Sequence, residues 1–134
     1  MKVLSRRERI EAAGGLVVAV VNDPPERVRA GLLHDLDLPW PVVVDLDRRA
    51  YRDWGLGRAS LLRTVIAPTW IAGYARRVVG GGERVARPGR DPMQLGGDFV
   101  VDPKGIVVFA HPQRGFDDRP PAGELVRALE AAAG

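Results

Sequence analysis

Along the chain the spacing of apolar positions changes several times, and each change marks an element. Val3, Leu4, Ile10, Ala12 and Ala13 recur at roughly helical intervals, with Arg6, Arg7, Glu8, Arg9 and Glu11 on the other side. This predicts an amphipathic helix over Met1–Ala13, stopped by Gly14-Gly15. Leu16–Val21 is then apolar at every position, the pattern of a strand covered on both faces in a parallel sheet. Asn22-Asp23-Pro24-Pro25-Glu26 opens a second helix, with Asp23 as its cap, the prolines in its first turn and Glu26 in capping-box register. Val28, Leu32 and Leu36 give that helix one buried stripe and leave His34 outside it, in solvent.

Leu38-Pro39-Trp40-Pro41 ends the second helix, and Val42–Val44 reads as a short strand finishing at Asp45. Arg48–Trp54 follows as a helix closed by Gly55, and Asp45 and Asp47 both stand where its cap is wanted. They also flank a strand's C-terminal end, where α/β folds bind ligands. Capping is the simpler role for both. Strand, helix, strand, helix in this order predicts a right-handed crossover onto a parallel sheet.

The second half turns on Gly96–His111. Phe99–Val101 and Ile106–Ala110 are β-branched and aromatic runs, and Asp102-Pro103-Lys104-Gly105 supplies turn chemistry between them. Apolar residues at nearly every position predict an interior hairpin. Ala122–Ala133 reads as a last helix, with Leu125, Val126 and Leu129 toward the core. Asp98 and His111 flank the hairpin. No spacing brings them together, so both are expected as solvated strand-end side chains. The expectation is a single α/β domain over residues 1–134, with helices on both faces of a mixed sheet.

Within it lies an unusual insertion, Leu56–Met93. Its apolar series from Leu61 to Val79, interrupted by Pro68, fits one kinked helix or two short ones before an arginine-glycine loop. Trp70 and Tyr74 share a face and are candidates for a partner surface; they equally suit packing of the segment onto its own sheet.

Charge changes this picture in one place. The chain carries a formal +3, yet Arg58–Arg90 alone holds seven arginines against Glu83, so everything else is net acidic. Arg76 and Arg77 are therefore candidate anion-binding residues. No stacking aromatics interleave with the arginines of 76–90, which argues against nucleic acid. Solubilising an irregular excursion is the plainer role.

Composition removes more chemistry than it supplies. There is no cysteine among 134 residues, so disulfides, thiolate ligands and thiol catalysis by this chain are excluded. His34 and His111 stand apart without a partner histidine, and neither a metal site nor a cofactor is expected. The N-terminus lacks the apolar core of a signal peptide, and no apolar run is long enough to cross a membrane. A cytoplasmic location is expected.

Asp45–Arg58, DLDRRAYRDWGLGR, followed by the basic excursion and then Gly96–Asp102, GGDFVVD, resembles the peroxiredoxin-like branch of the thioredoxin-like superfamily, the alkyl hydroperoxide reductase/thiol-specific antioxidant group. The resemblance runs from about Leu16 to the C-terminus. It implies a thioredoxin-like three-layer sandwich and thiol-dependent peroxide reduction, with a cysteine at the start of the first helix and an arginine just before the G-x-F motif. Met1–Ala13 matches the latter part of that helix, which would place the cysteine turn before Met1. Gly96 stands at the arginine's place.

The resemblance also implies a central strand between Leu16–Val21 and Phe99–Val101. Its absence from these residues leaves two expectations: an upstream segment carrying the strand and the cysteine, or rearrangement or pairing with a second copy at the open edges. A redox-inactive module that holds a protein partner, through Leu61–Tyr74 or those edges, is the competing reading.

Overall fold

The structure, a computed structural model, describes residues 2–59, 91 and 93–134. The expectations placed on Leu61–Tyr74, on Trp70, Tyr74, Arg76 and Arg77, and on the arginine-glycine loop lie outside the described residues.

A 3-10 turn, Leu4–Arg6, runs into helix α1, Arg7–Ala12. Its end follows from the glycine pair. Gly14 takes φ +69°, which lets its N–H reach Glu11 O at 2.9 Å and the Gly15 N–H reach Ile10 O at 2.8 Å. Strand β1 is Ala19–Val21 and pairs in parallel with β2, Val42–Val44, as the crossover pattern requires.

The connection between them differs from expectation. It is two short helices, α2 (Pro25–Ala30) and α3 (Leu32–Asp35), broken at Gly31. Pro25 opens α2 as foreseen, but its cap position is Pro24, with no side-chain cap bond. Asp23 instead lies 3.8 Å from the Arg27 guanidinium. Two prolines in sequence move the helix start one residue past the reach of a cap from Asp23. Of the stripe, Val28 is buried, while Leu32 and Leu36 are half-buried beyond the break.

Helix α4, Arg49–Asp53, is capped from four residues upstream. Asp45 accepts the amide N–H groups of Arg49 and Ala50 at 3.0 and 2.9 Å, with Arg48 left-handed at φ +56° to bring them round. Asp47 makes no such bond; its carbonyl accepts Arg52. Gly55, at φ +70°, closes the helix as predicted.

The hairpin is β3, Gly97–Val101, antiparallel to β4, Val107–Pro112. Asp102 Oδ1 accepts the N–H groups of Lys104 and Ile106, and Gly105 at φ +83° closes the turn. Helix α5, Ala122–Ala133, falls on the predicted residues and packs on β3, β4 and α1. Ile10 of α1, Val126 of α5 and Trp40 form the buried cluster, flanked by Val3, Leu4, Val17 and Leu129.

Two burial expectations fail among the described residues. β1 is not covered on both faces: Val18 and Val20 are 50% and 40% exposed. Nor is the hairpin interior throughout, since Ile106, Val107 and Val108 are exposed and Val100 is its one buried side chain. The physical reason is the sheet arrangement. The parallel and antiparallel pairs are both present but, among the described residues, form two separate two-stranded sheets, β1–β2 and β3–β4, whose outer edges pair with no other described strand. No helix among the described residues is long and apolar enough to cross a membrane.

Candidate functional site

Between β1 and β3 lies a cleft of about 580 Å³, lined by Leu16–Val18 and Val20, by Gly96–Val101, and by side chains of α1, α4 and α5. Helix α4 supplies its aromatic wall. Tyr51 and Trp54 are three positions apart and so share a helix face. Trp54 meets Phe99 of β3 edge to face, ring centroids 4.5 Å apart. The Tyr51 hydroxyl donates to Val20 O of β1 at 3.0 Å. Burial raises the Tyr51 phenol above its usual pKa, the Asp45 and Asp23 carboxylates add to this, and Arg119 opposes them. The hydroxyl is therefore a donor at neutral pH.

β3 enters the cleft through two glycines. A Cβ on Gly97 would stand 2.7 Å from Leu56 Cδ2 and 2.9 Å from the Phe99 ring, so a larger residue there would push on both side chains. Gly96, at the position where the resemblance implies an arginine, donates to Gln113 Oε1 at 3.0 Å and accepts the Gln113 N–H at 3.0 Å. The cation on the cleft wall is Arg119.

Asp98 and His111 are brought together more closely than expected. A register shift between Val100 and Val101 sets Asp98 directly opposite His111 across the hairpin. Without that bulge Asp98 would face Ala110, so the one extra residue decides the pairing. The two do not bond each other. His111 Nε2 lies 2.8 Å from Asp118 Oδ1, and Asp118 Oδ2 accepts the Arg114 N–H at 2.8 Å. The Arg114 N–H first, and His111 second, hold Asp118 below the usual carboxylate pKa against the effect of burial. Asp98 lines the cleft, and its Oδ2 is buried without a hydrogen-bond partner, contrary to its expected place in solvent.

A second feature ties off the base of the insertion. Asp91 is held by Arg48 and by Arg58, the latter at 2.5 and 3.1 Å, while Ala59 donates to Met93 O and Leu95 to Gly57 O. Burial pushes the Asp91 pKa up, but the Arg58, Met93 and Arg48 interactions together bring it below the ordinary value.

Chemically, the cleft offers a guanidinium, an unpaired carboxyl oxygen and unpaired strand edges, the Tyr51 hydroxyl being already bonded to Val20 O. It can bind; it presents no thiol, because the sequence holds no cysteine. Of its residues, Tyr51 and Trp54 had a legible signal in their i, i+3 spacing. Arg119, in an irregular stretch, had none, and neither had Asp118 outside the cleft. Exposed His34 pairs with Asp35 at 3.2 Å, away from the cleft lining.

No curated protein and no solved structure matches this chain. Residues 3–115 match the AhpC/TSA antioxidant enzyme family, a span that includes α1, both sheets and the bulged hairpin. The chain belongs to this family, and its fold is the peroxiredoxin-like form of the thioredoxin-like α/β architecture.

Proposed function

We propose that this chain works in thiol-dependent peroxide removal as the scaffold of the reaction, with the reacting sulfur supplied from outside these 134 residues. The family match over residues 3–115 carries the reading, and the cysteine-free composition limits it to a supporting part. In such chemistry a thiolate attacks a peroxide oxygen, the O–O bond breaks, sulfur is oxidised to the sulfenic acid, and the departing oxygen takes a proton to leave as alcohol or water. Arg119 supplies a positive charge on the cleft wall, and Tyr51, bonded to Val20 O, fixes the wall beside it.

The test compares two preparations. Native material purified with whatever is bound to it is expected to consume hydrogen peroxide in a reaction abolished by N-ethylmaleimide. The 134-residue chain alone is expected to consume none above the reductant background. Peroxide consumption that survives the alkylating agent would overturn the reading.

A second reading is favoured by the open strand edges: a redox-inactive module whose task is to hold a protein partner. Native material silent toward peroxide would support it.

A further inference from the structure

Helix α4 builds the aromatic wall of the cleft, yet little within it explains why it stands there. At five residues it is well below the length at which a helix holds itself in water, and it contributes no buried residue to the core. Asp45 serves its first two amides, Tyr51 reaches Val20 O and Trp54 meets Phe99, and each of these contacts fixes one point of the helix.

The remaining tie holds both of its flanks. Asp91, near the end of the insertion, accepts the guanidinium of Arg48, the residue directly before α4. It also accepts Arg58, which follows α4 on the outgoing side of the insertion, through two bonds of 2.5 and 3.1 Å. The same carboxylate takes the Met93 N–H at 3.2 Å, and beside it Ala59 donates to Met93 O at 2.7 Å and Leu95 to Gly57 O at 3.1 Å. One side chain thus closes Arg48–Arg58 into a loop with α4 inside it, and fastens that loop to the base of the insertion. With 18% of its side chain exposed, Asp91 escapes most of the screening that weakens surface ion pairs.

Arg48 carries the mark of this tie. It is the one non-glycine residue at positive φ among the described residues, +56°, a conformation that glycine adopts freely and a side chain resists. Arginine there keeps the backbone strained and gains the bond to Asp91.

We propose that Asp91 is a positioning residue, the clip of a conformational unit in which Arg48–Arg58 and the base of the insertion open and close as one piece. The aromatic wall of the cleft is then present only while Asp91 holds both arginines. An event at the base of the insertion that separates them from Asp91 withdraws Tyr51 and Trp54 from the cleft together. The unit is made of described residues alone and needs neither a thiol nor an occupant of the cleft.

Amide hydrogen exchange on the full chain reads this unit directly. Asp91→Asn keeps the size of the side chain and an oxygen for the Met93 N–H while removing the charge. It is expected to speed exchange at Arg52 and Trp54, and at Ala59 and Leu95, by a common factor of at least about ten, with Ala122–Ala133 unchanged. The near-ultraviolet circular dichroism of the Trp54–Phe99 pair is expected to fall in parallel. Coupling between two places is reciprocal. Arg48→Met, on the helix side, is therefore expected to speed Ala59 and Leu95, and Arg58→Met, on the insertion side, to speed Arg52 and Trp54. Unchanged rates in Asp91→Asn, a change confined to Ala59 and Leu95, or an equal rise along Ala122–Ala133 would each overturn the proposal. So would an arginine variant whose effect stays on its own side, and these two variants decide if Asp91→Asn does not fold. None of these rates depends on peroxide chemistry, so either outcome leaves the proposed function standing.

Discussion

The two sheets are related through two seams of opposite construction. At the helical seam Ile10 and Val126 are 2% and 1% exposed, and Arg9 grips Glu130 with two bonds of 2.9 and 2.8 Å. At the strand seam β1 and β3 do not pair, and Leu16, Val20 and Val101 remain exposed. Side chains of α1 and α5 satisfy one another, because an apolar helix face needs only another apolar face. A strand edge needs another strand within backbone hydrogen-bonding distance, and β1 and β3 do not pair with each other. Stability is therefore concentrated at one seam and binding capacity at the other.

Substitutions that separate the seams give the largest expected effect. Ile10→Ala should cost about 2–5 kcal/mol in urea denaturation, the range for deleting a buried aliphatic side chain. Leu16→Ala, at the open seam, should stay within about 0.5 kcal/mol. Equal losses would erase the contrast.

Gly15 sharpens the same contrast at backbone level. A Cβ there would stand 2.5 Å from Leu129 Cδ2 and 3.0 Å from Ile10 O, so α5 approaches α1 across a glycine. Gly15→Ala should cost about 1–3 kcal/mol by overpacking, read as a fall in thermal midpoint. Among the described residues nothing lies within 4 Å of a Cβ on Gly57, and Ala there should be nearly silent.

The helical seam was legible in the sequence and the strand seam was so only by analogy. Helical spacing at Ile10, Val126 and Leu129 marks apolar faces wherever they later dock, and Gly14-Gly15 and Gly55 mark helix ends by backbone chemistry alone. LVVAVV announces a strand but not its neighbours, since pairing depends on distant residues. The gap beside Leu16–Val21 came from the family resemblance. The Asp98–His111 register was illegible because one bulged residue shifts the pairing, and no residue type near Val101 demands a bulge. Trp40, flanked by prolines, read as a helix breaker; its burial with Ile10 depends on where the chain returns.

A smaller effect is expected at the wall of the open seam. Asp45→Ala removes the acceptor for two first-turn amides of α4 and should cost about 1 kcal/mol. Asp47→Ala should cost a few tenths. Because α4 carries Tyr51 and Trp54 into the cleft, Asp45→Ala should also reduce the near-ultraviolet circular dichroism of the Trp54–Phe99 pair. An unchanged aromatic signal would show that the wall stands without its cap.

The smallest effect lies on the far side of the hairpin and depends on pH. Asp118 joins β4 to the following loop through His111 and the Arg114 N–H, and its pKa is lowered in the fold from the ordinary 3.8. A group that ionises more readily when folded stabilises the fold above its unfolded pKa and loses that contribution as pH falls through its folded one. Asp118→Asn should therefore lower the urea midpoint slightly at neutral pH, and the gap from the parent chain should close as pH falls through the lowered folded-state pKa of Asp118. A gap independent of pH would mean that carboxyl geometry, rather than charge, holds the loop. Either way Ile10→Ala should remain far more costly, because a half-buried carboxylate clasp at the end of a hairpin contributes less than a buried aliphatic contact between helices.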